Sequence, residues 1–112
     1  MDVTVAERGR VTVLALHGEL GVDTAPELEE ALTTLVRGSI NRIVVDLHGL
    51  QFCDSIGLST FVLAHRACTA TGGFVRLAAA PDFLLRVLTV VGLKDQIPMF
   101  DTVAAACAAP SD

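Results

Sequence analysis

Ile43 to Leu47 is a continuous run dominated by β-branched residues. It lacks the polar alternation of a strand with one wet face, so it reads as a strand covered on both sides. Such a strand belongs at the centre of a layered sheet. The residues from His48 to Cys53 read as a short loop, and Asp54-Ser55 as the opening of a helix. That helix presents Leu58, Phe61, Val62 and Ala64 or Cys68 at helical spacing and runs to about Thr71, where Gly72-Gly73 ends it.

The flanking segments complete a pattern. Residues 2 to 8 and 11 to 17 alternate around Gly9-Arg10, which predicts an antiparallel hairpin. Thr24 or Asp23 then caps a helix from about Pro26 to Val36, with acidic residues in its first turns, Leu28, Ala31, Leu32 and Leu35 on one face, and Gly38 at its end. Phe74 to Ala79 reads as a strand, Pro81 to about Val91 as a helix, Ile97 to Phe100 as a short strand, and Asp101 as the cap of a last helix through Ala109. Pro110-Ser111-Asp112 is expected to fray. Strands alternating with helices after a hairpin imply an α/β fold, a mixed four- to five-stranded sheet with about four helices packed mainly on one face. At 112 residues the chain is expected to form one domain over its whole length, 1–112.

Composition narrows the function classes. The formal charge is −5 with eight Lys and Arg residues, and aromatic residues make up 4%, so the basic footprint and stacking surface of a nucleic-acid binder are missing and a protein partner is expected. The first 17 residues lack a basic start followed by an apolar block, and no apolar run approaches the ~20 residues needed to span a bilayer. No membrane insertion and a cytoplasmic location are expected. Cys53, Cys68 and Cys107 are odd in number and lack CxxC spacing, which argues for buried free thiols over a disulfide framework, a zinc site or a redox switch. No metal or other cofactor is expected.

The site of interest is the strand–loop–helix passage ending in Asp54-Ser55-Ile56-Gly57-Leu58. A helix N-terminus leaves its first N–H groups unpaired and carries positive macrodipole charge, so an anion on the Ser55 oxygen is favoured there. Asp54 or Ser55 serves equally well as a plain N-cap, and Gly57 as a close-packing residue. The pentapeptide after Val44-Val45-Asp46-Leu47 resembles the signature of the STAS family, whose bacterial members include anti-sigma factor antagonists. Gly18-Glu19-Leu20 followed by Thr24-Ala25-Pro26-Glu27-Leu28, Gly72-Gly73 before Val75-Arg76-Leu77, and Leu88-Thr89-Val90-Val91-Gly92-Leu93 before Ile97-Pro98-Met99-Phe100 extend the resemblance over nearly the whole chain.

That resemblance implies a partner-switching role. The unphosphorylated antagonist binds an anti-sigma factor that is also a serine kinase of the histidine-kinase-like ATPase type and so frees a sigma factor. Phosphorylation at Ser55 reverses this, and a serine phosphatase resets it. Asp54 stands beside the phosphoacceptor, and Ile56, Gly57 and Leu58 form the adjacent docking surface. Antagonists often carry Asp after the Gly-Glu-Leu segment, where this chain has Gly21; Asp23 and Thr24 follow as further candidate contacts.

Three other readings compete. A serine hydrolase would pair His17, His48 or His65 with Ser55, but the Gly-x-Ser-x-Gly elbow is absent and His65 lies about 15 Å along the helix from Ser55. A receiver-type phosphoacceptor at Asp46 would require further carboxylates for Mg²⁺, and only Glu7 stands near the end of the first strand. Asp46 then reads as an anchor for the following loop. A STAS module of a lipid-transport ATPase or a stress-sensing assembly shares the fold without the switch.

Overall fold

The computed structural model describes residues 1–110, the Lys94 side chain excepted. Five strands, β1 (Asp2–Arg8), β2 (Val11–Leu20), β3 (Arg42–Cys53), β4 (Phe74–Ala78) and β5 (Met99–Phe100), form one sheet in the order β1-β2-β3-β4-β5. The β1–β2 hairpin is antiparallel and the other neighbours are parallel. Each parallel step carries a crossover helix: α1 (Ala25–Arg37), α2 (Ser55–Thr69) and α3 (Asp82–Val90). Because each crossover steps the same way along the sheet, a common handedness brings all three helices to the same face.

Alternation along the strands splits the core in two. Leu14, Leu16, Ile43, Val45, Leu47, Val75 and Leu77 pack against Leu28 and Leu32 of α1, Leu58 and Phe61 of α2, and Leu84 and Leu88 of α3. On the opposite face Val11, Val44, Phe74 and Ala78 are covered by Ala106 of α4 (Val103–Ala108). Thus β3 is central, and its Ile43-Val44-Val45 segment has no exposed surface on either side.

Some element boundaries differ from expectation. The cap of α4 is Thr102, whose hydroxyl accepts from Ala105 N at 3.0 Å, and not Asp101. Pro110 is held rather than frayed, because its carbonyl accepts from Arg76 Nη2 at 2.7 Å; the fraying expected of Ser111 and Asp112 lies outside the described residues. Arg76 is buried on the α4 face, donates to Ala106 O and Ala109 O at 2.8 Å, and lies over the Phe74 ring at 3.7 Å. Its charge thereby sits on the carbonyl end of α4, where the helix dipole is negative.

The largest departure is β3, which runs on to Cys53 instead of stopping at Leu47. Opposite β2 it carries two extra residues, at register shifts between Ala15/His17 and between Gly18/Glu19. These are β-bulges, which keep a strand paired while breaking its alternation. Asp46 stabilises the first of them by accepting from His48 N at 3.0 Å, so His48 lies on a strand and not in a loop.

His65 of α2 serves the part of β4 that β5 does not pair, where Val75 N donates to its Nδ1 at 3.0 Å. Burial lowers the His65 pKa below its usual 6.5. The folded state therefore favours neutral imidazole, and a proton arriving at Nδ1 must displace the Val75 donor. The contribution is complete above the unfolded pKa and is lost as the pH falls from about 6.5 through the lower folded value. Urea unfolding should show stability falling with pH in that window, and His65→Ala should lower stability by about 1 kcal/mol at pH 7.5 and flatten this part of the pH profile. A wild-type profile that rises on acidification from pH 7 to 6 would contradict this.

Candidate functional site

Two neighbouring parallel strands end side by side. Leu20 at the end of β2 pairs with Cys53 at the end of β3, and Asp54 N continues the ladder to Leu20 O at 3.1 Å. Segments that leave the carboxyl ends of adjacent parallel strands form the crevice where α/β sheets place their functional groups. Here they are the β2–α1 loop, residues 21–24, and the first turn of α2.

The β2–α1 loop is tied to itself by Thr24. The Thr24 hydroxyl accepts from Gly21 N at 2.9 Å and donates to Glu19 O at 2.8 Å, while Thr24 N and Ala25 N both donate to Gly21 O. Thr24 is the N-cap of α1 by position, yet its side chain braces the loop instead of the helix. Asp23 is exposed on the same loop.

The first turn of α2 is tied to that loop by Asp54, which settles the choice of cap. Its Oδ1 accepts from Ile56 N at 3.0 Å and Gly57 N at 3.1 Å. Its Oδ2 reaches across to Val22 N at 3.2 Å. One carboxylate thus serves two orphan N–H groups of the helix and one of the loop. Ser55 follows as the first helical residue, exposed, with no hydrogen bond to its hydroxyl among the described residues.

The rest of the expected signature divides between surface and interior. Ile56 is 47% exposed. Gly57 and Leu58 are buried: a Cβ at Gly57 would stand 2.6 Å from Leu20 Cγ and 3.1 Å from Cys53 Sγ, so the missing side chain lets the first turn of α2 approach the sheet. Gly21 has a related part at the loop, where a Cβ would lie 3.3 Å from Asp54 Oδ2 and 3.5 Å from the Phe52 ring. An acidic residue there would set a second carboxylate against Asp54; glycine leaves that edge to Phe52.

Two residues absent from the sequence reading belong to this surface. Val22 and Phe52 are 61% and 48% exposed and lie beside Asp54, Val22 through its N–H to Oδ2 and the Phe52 ring at the same edge of Gly21. Phe52 was hidden because residues 48–53 read as a loop. The signal that reveals it is the bulged strand, which turns this ring out beside Gly21.

Other candidate chemistry is placed elsewhere. The His65 Nδ1 is engaged by Val75, and no histidine hydrogen-bonds the Ser55 hydroxyl among the described residues. Burial, reinforced by the Asp54 charge, pushes the Cys53 thiol up to about 12, and burial also raises Cys68. These thiols therefore stay protonated and unreactive at neutral pH. Among the described residues there is no cluster of His, Cys, Asp and Glu suited to a metal ion, and no helix is long and apolar enough to cross a membrane.

Comparison with known proteins adds to this geometry. The family model described as the STAS domain matches residues 2–106. An anti-sigma-B factor antagonist of Staphylococcus aureus is 36% identical over 95 residues, covering 85% of this chain and 88% of that protein. Among solved structures, an anti-sigma factor antagonist from Mycobacterium paratuberculosis superposes with a TM-score of 0.89 at 27% identity, covering 99% of this chain and 94% of the other. The phosphorylated form of the Bacillus cell fate determinant SpoIIAA shares the fold, with a TM-score of 0.73 at 22% identity and coverage of 95% and 96%.

The Asp54 carboxylate should carry measurable stability. Asp54→Ala, which leaves three N–H groups without their acceptor, is expected to cost about 1–2 kcal/mol in urea unfolding, and Asp54→Asn to cost less, since it keeps an acceptor oxygen. Gly57→Ala should cost about 1–3 kcal/mol by forcing Leu20 and Cys53 apart. Wild-type midpoints for Asp54→Ala and Gly57→Ala would show that neither the cap nor the close approach holds the site together.

Proposed function

The chain belongs to the STAS domain family, and we propose that it is an anti-sigma factor antagonist switched by phosphorylation of Ser55. In its unphosphorylated form it binds an anti-sigma factor that doubles as a serine kinase of the histidine-kinase-like ATPase type, and so releases a sigma factor. Phosphorylation of Ser55 ends that binding, and a serine phosphatase restores it.

The observation that carries this reading is the setting of the Ser55 hydroxyl. It is exposed and without a hydrogen bond among the described residues at the start of α2, next to the exposed Ile56 and to Asp54, beside which the exposed Val22 and Phe52 lie. A hydroxyl there is reachable by a kinase, and apolar side chains around it suit a protein that covers them. The S. aureus relative is named for antagonism of an anti-sigma factor, and SpoIIAA exists in a phosphorylated form.

The bonds of Asp54 bear on how the switch is read. Ile56 N and Gly57 N, the groups a phosphate on Ser55 would otherwise use, already donate to Asp54. The new phosphate, carrying about −1.5 to −2 charges, gains no ready-made cradle and stands beside a carboxylate. It remains on the surface, where a partner closing over the site must desolvate it. A hundredfold loss of affinity requires about 2.7 kcal/mol, within the cost of burying an unpaired charge. The switch is thus felt by the partner more than by the fold of this chain.

The candidate contacts then have distinct parts. Ser55 accepts the phosphate, Ile56 is the outward docking residue of the signature, and Gly57 and Leu58 support it from beneath. Gly21 and Thr24 set the loop, and Asp23 presents a charge at its rim.

Titration calorimetry against each purified anti-sigma factor kinase of the source organism tests the reading. Ser55→Ala should bind one of them as tightly as the unphosphorylated wild type does, and Ser55→Asp about a hundredfold more weakly. Equal affinity for wild type, Ser55→Ala and Ser55→Asp would remove Ser55 as the switch.

A further inference from the structure

Helix α3 is apolar on two faces. Leu84 and Leu88 are fully buried, whereas Phe83, Val87, Val90 and Val91, counting the residue that ends the helix, are 41%, 37%, 85% and 52% exposed. At about 100° per residue these four fall within an arc of about 100°, adjoining the buried pair, while Asp82, Arg86 and Thr89 fall on the opposite side. One apolar face suffices to dock α3 on the sheet. A second, exposed stripe is the pattern of a helix that meets another protein.

The stripe is continuous with the Ser55 surface. Its last residue, Val91, lines an open groove of about 490 Å³ between α2 and the end of α3, and the facing wall carries Ser55, Leu63 and Arg66. Leu63 is 63% exposed, two turns along α2 from Ser55. Arg66 is exposed at the far end, with no carboxylate in ion-pair reach among the described residues.

We propose that this groove and the α3 stripe are the second half of the surface that binds the anti-sigma factor, and that they receive an amphipathic helix of that partner, its apolar face on Leu63, Val90 and Val91 and an acidic residue opposite Arg66. The assignment rests on the antagonist reading above. Continuity with Ser55 favours this occupant over a second copy of the chain, since a phosphate at the mouth of the groove controls the whole surface. Two copies would in addition bring net charges of −5 together. An apolar stripe gives affinity and the Arg66 cation sets register, as in other complexes where a helix lies in a groove.

The test is calorimetric titration of wild type, Val90→Ser, Leu63→Ser, Arg66→Glu and Leu85→Ser against each purified anti-sigma factor kinase of the source organism, with unfolding midpoints to confirm that each variant folds. Leu85 is 41% exposed on α3 but outside the stripe, and serves as the control. Val90→Ser and Leu63→Ser are expected to weaken binding tenfold or more and Arg66→Glu at least fivefold, with Leu85→Ser within twofold of wild type. Wild-type affinity in Val90→Ser and Leu63→Ser, alongside weak binding by Ser55→Asp, would overturn the stripe and leave the antagonist reading standing. A wild-type dimer in sedimentation that Val90→Ser dissociates would give the stripe to a second copy and equally overturn the proposal. Failure of wild type to bind any of these kinases would overturn the antagonist reading itself, and the occupant with it.

Discussion

The Asp54 carboxylate accepts backbone N–H groups from two segments that approach only in the folded chain: Ile56 and Gly57 beside it, and Val22, 32 residues earlier in the sequence. Because both segments leave the ends of paired parallel strands, the carboxylate fixes the spacing of the β2–α1 loop from the first turn of α2. The position of Ser55 depends on that spacing, and so does that of the exposed Val22 and Phe52 beside Asp54. Of the three bonds, that from Gly57 N is part-buried, so removing the carboxylate would leave this N–H without its acceptor where water reaches it least.

What brings the segments together is the central strand. β3 is covered on both faces along Ile43 to Val45, which leaves little freedom in its register. Beyond Leu47 two bulges let it continue beside β2 as far as Cys53 while turning Phe52 outward next to Gly21. Gly57 then allows α2 to start close against Leu20. The backbone therefore displays a hydroxyl on the surface, with no hydrogen bond to it among the described residues and its neighbouring N–H groups already engaged. In the proposed function this hydroxyl is the point of modification and recognition.

Most of the layered fold was legible because burial imposes periodicity. The hairpin around Gly9-Arg10 and the apolar faces of α1 and α2 follow from their periodicity, and the two-sided burial of Ile43 to Val45 from a short β-branched run between loop residues. The part of the site that was not legible lies where that periodicity is interrupted. Bulges at residues 48–51 gave the strand the polar and glycine content of a loop, so Phe52 was not recognised as a surface residue. Sequence spacing also left Asp54 and Ser55 equivalent as caps, since the third bond that distinguishes Asp54, to Val22, is a tertiary contact. Gly21 illustrates the same limit: its departure from the familiar acidic residue was visible, but its consequence, room for Phe52 beside Asp54, required coordinates. Thr102 in place of Asp101 as the cap of α4 is a one-residue boundary shift of the ordinary kind.

In the proposed function Ser55, exposed beside the N–H groups that Asp54 holds, is the residue through which this chain is switched. Intact-mass and phosphopeptide spectrometry after incubation with the source organism's anti-sigma factor kinases, ATP and Mg²⁺ decides whether Ser55 is the acceptor. A single added phosphate is expected, mapped to Ser55 and absent from Ser55→Ala. A phosphate on Ser59, Thr60 or Thr24 with Ser55 unmodified, or no modification by any of these kinases, would contradict it.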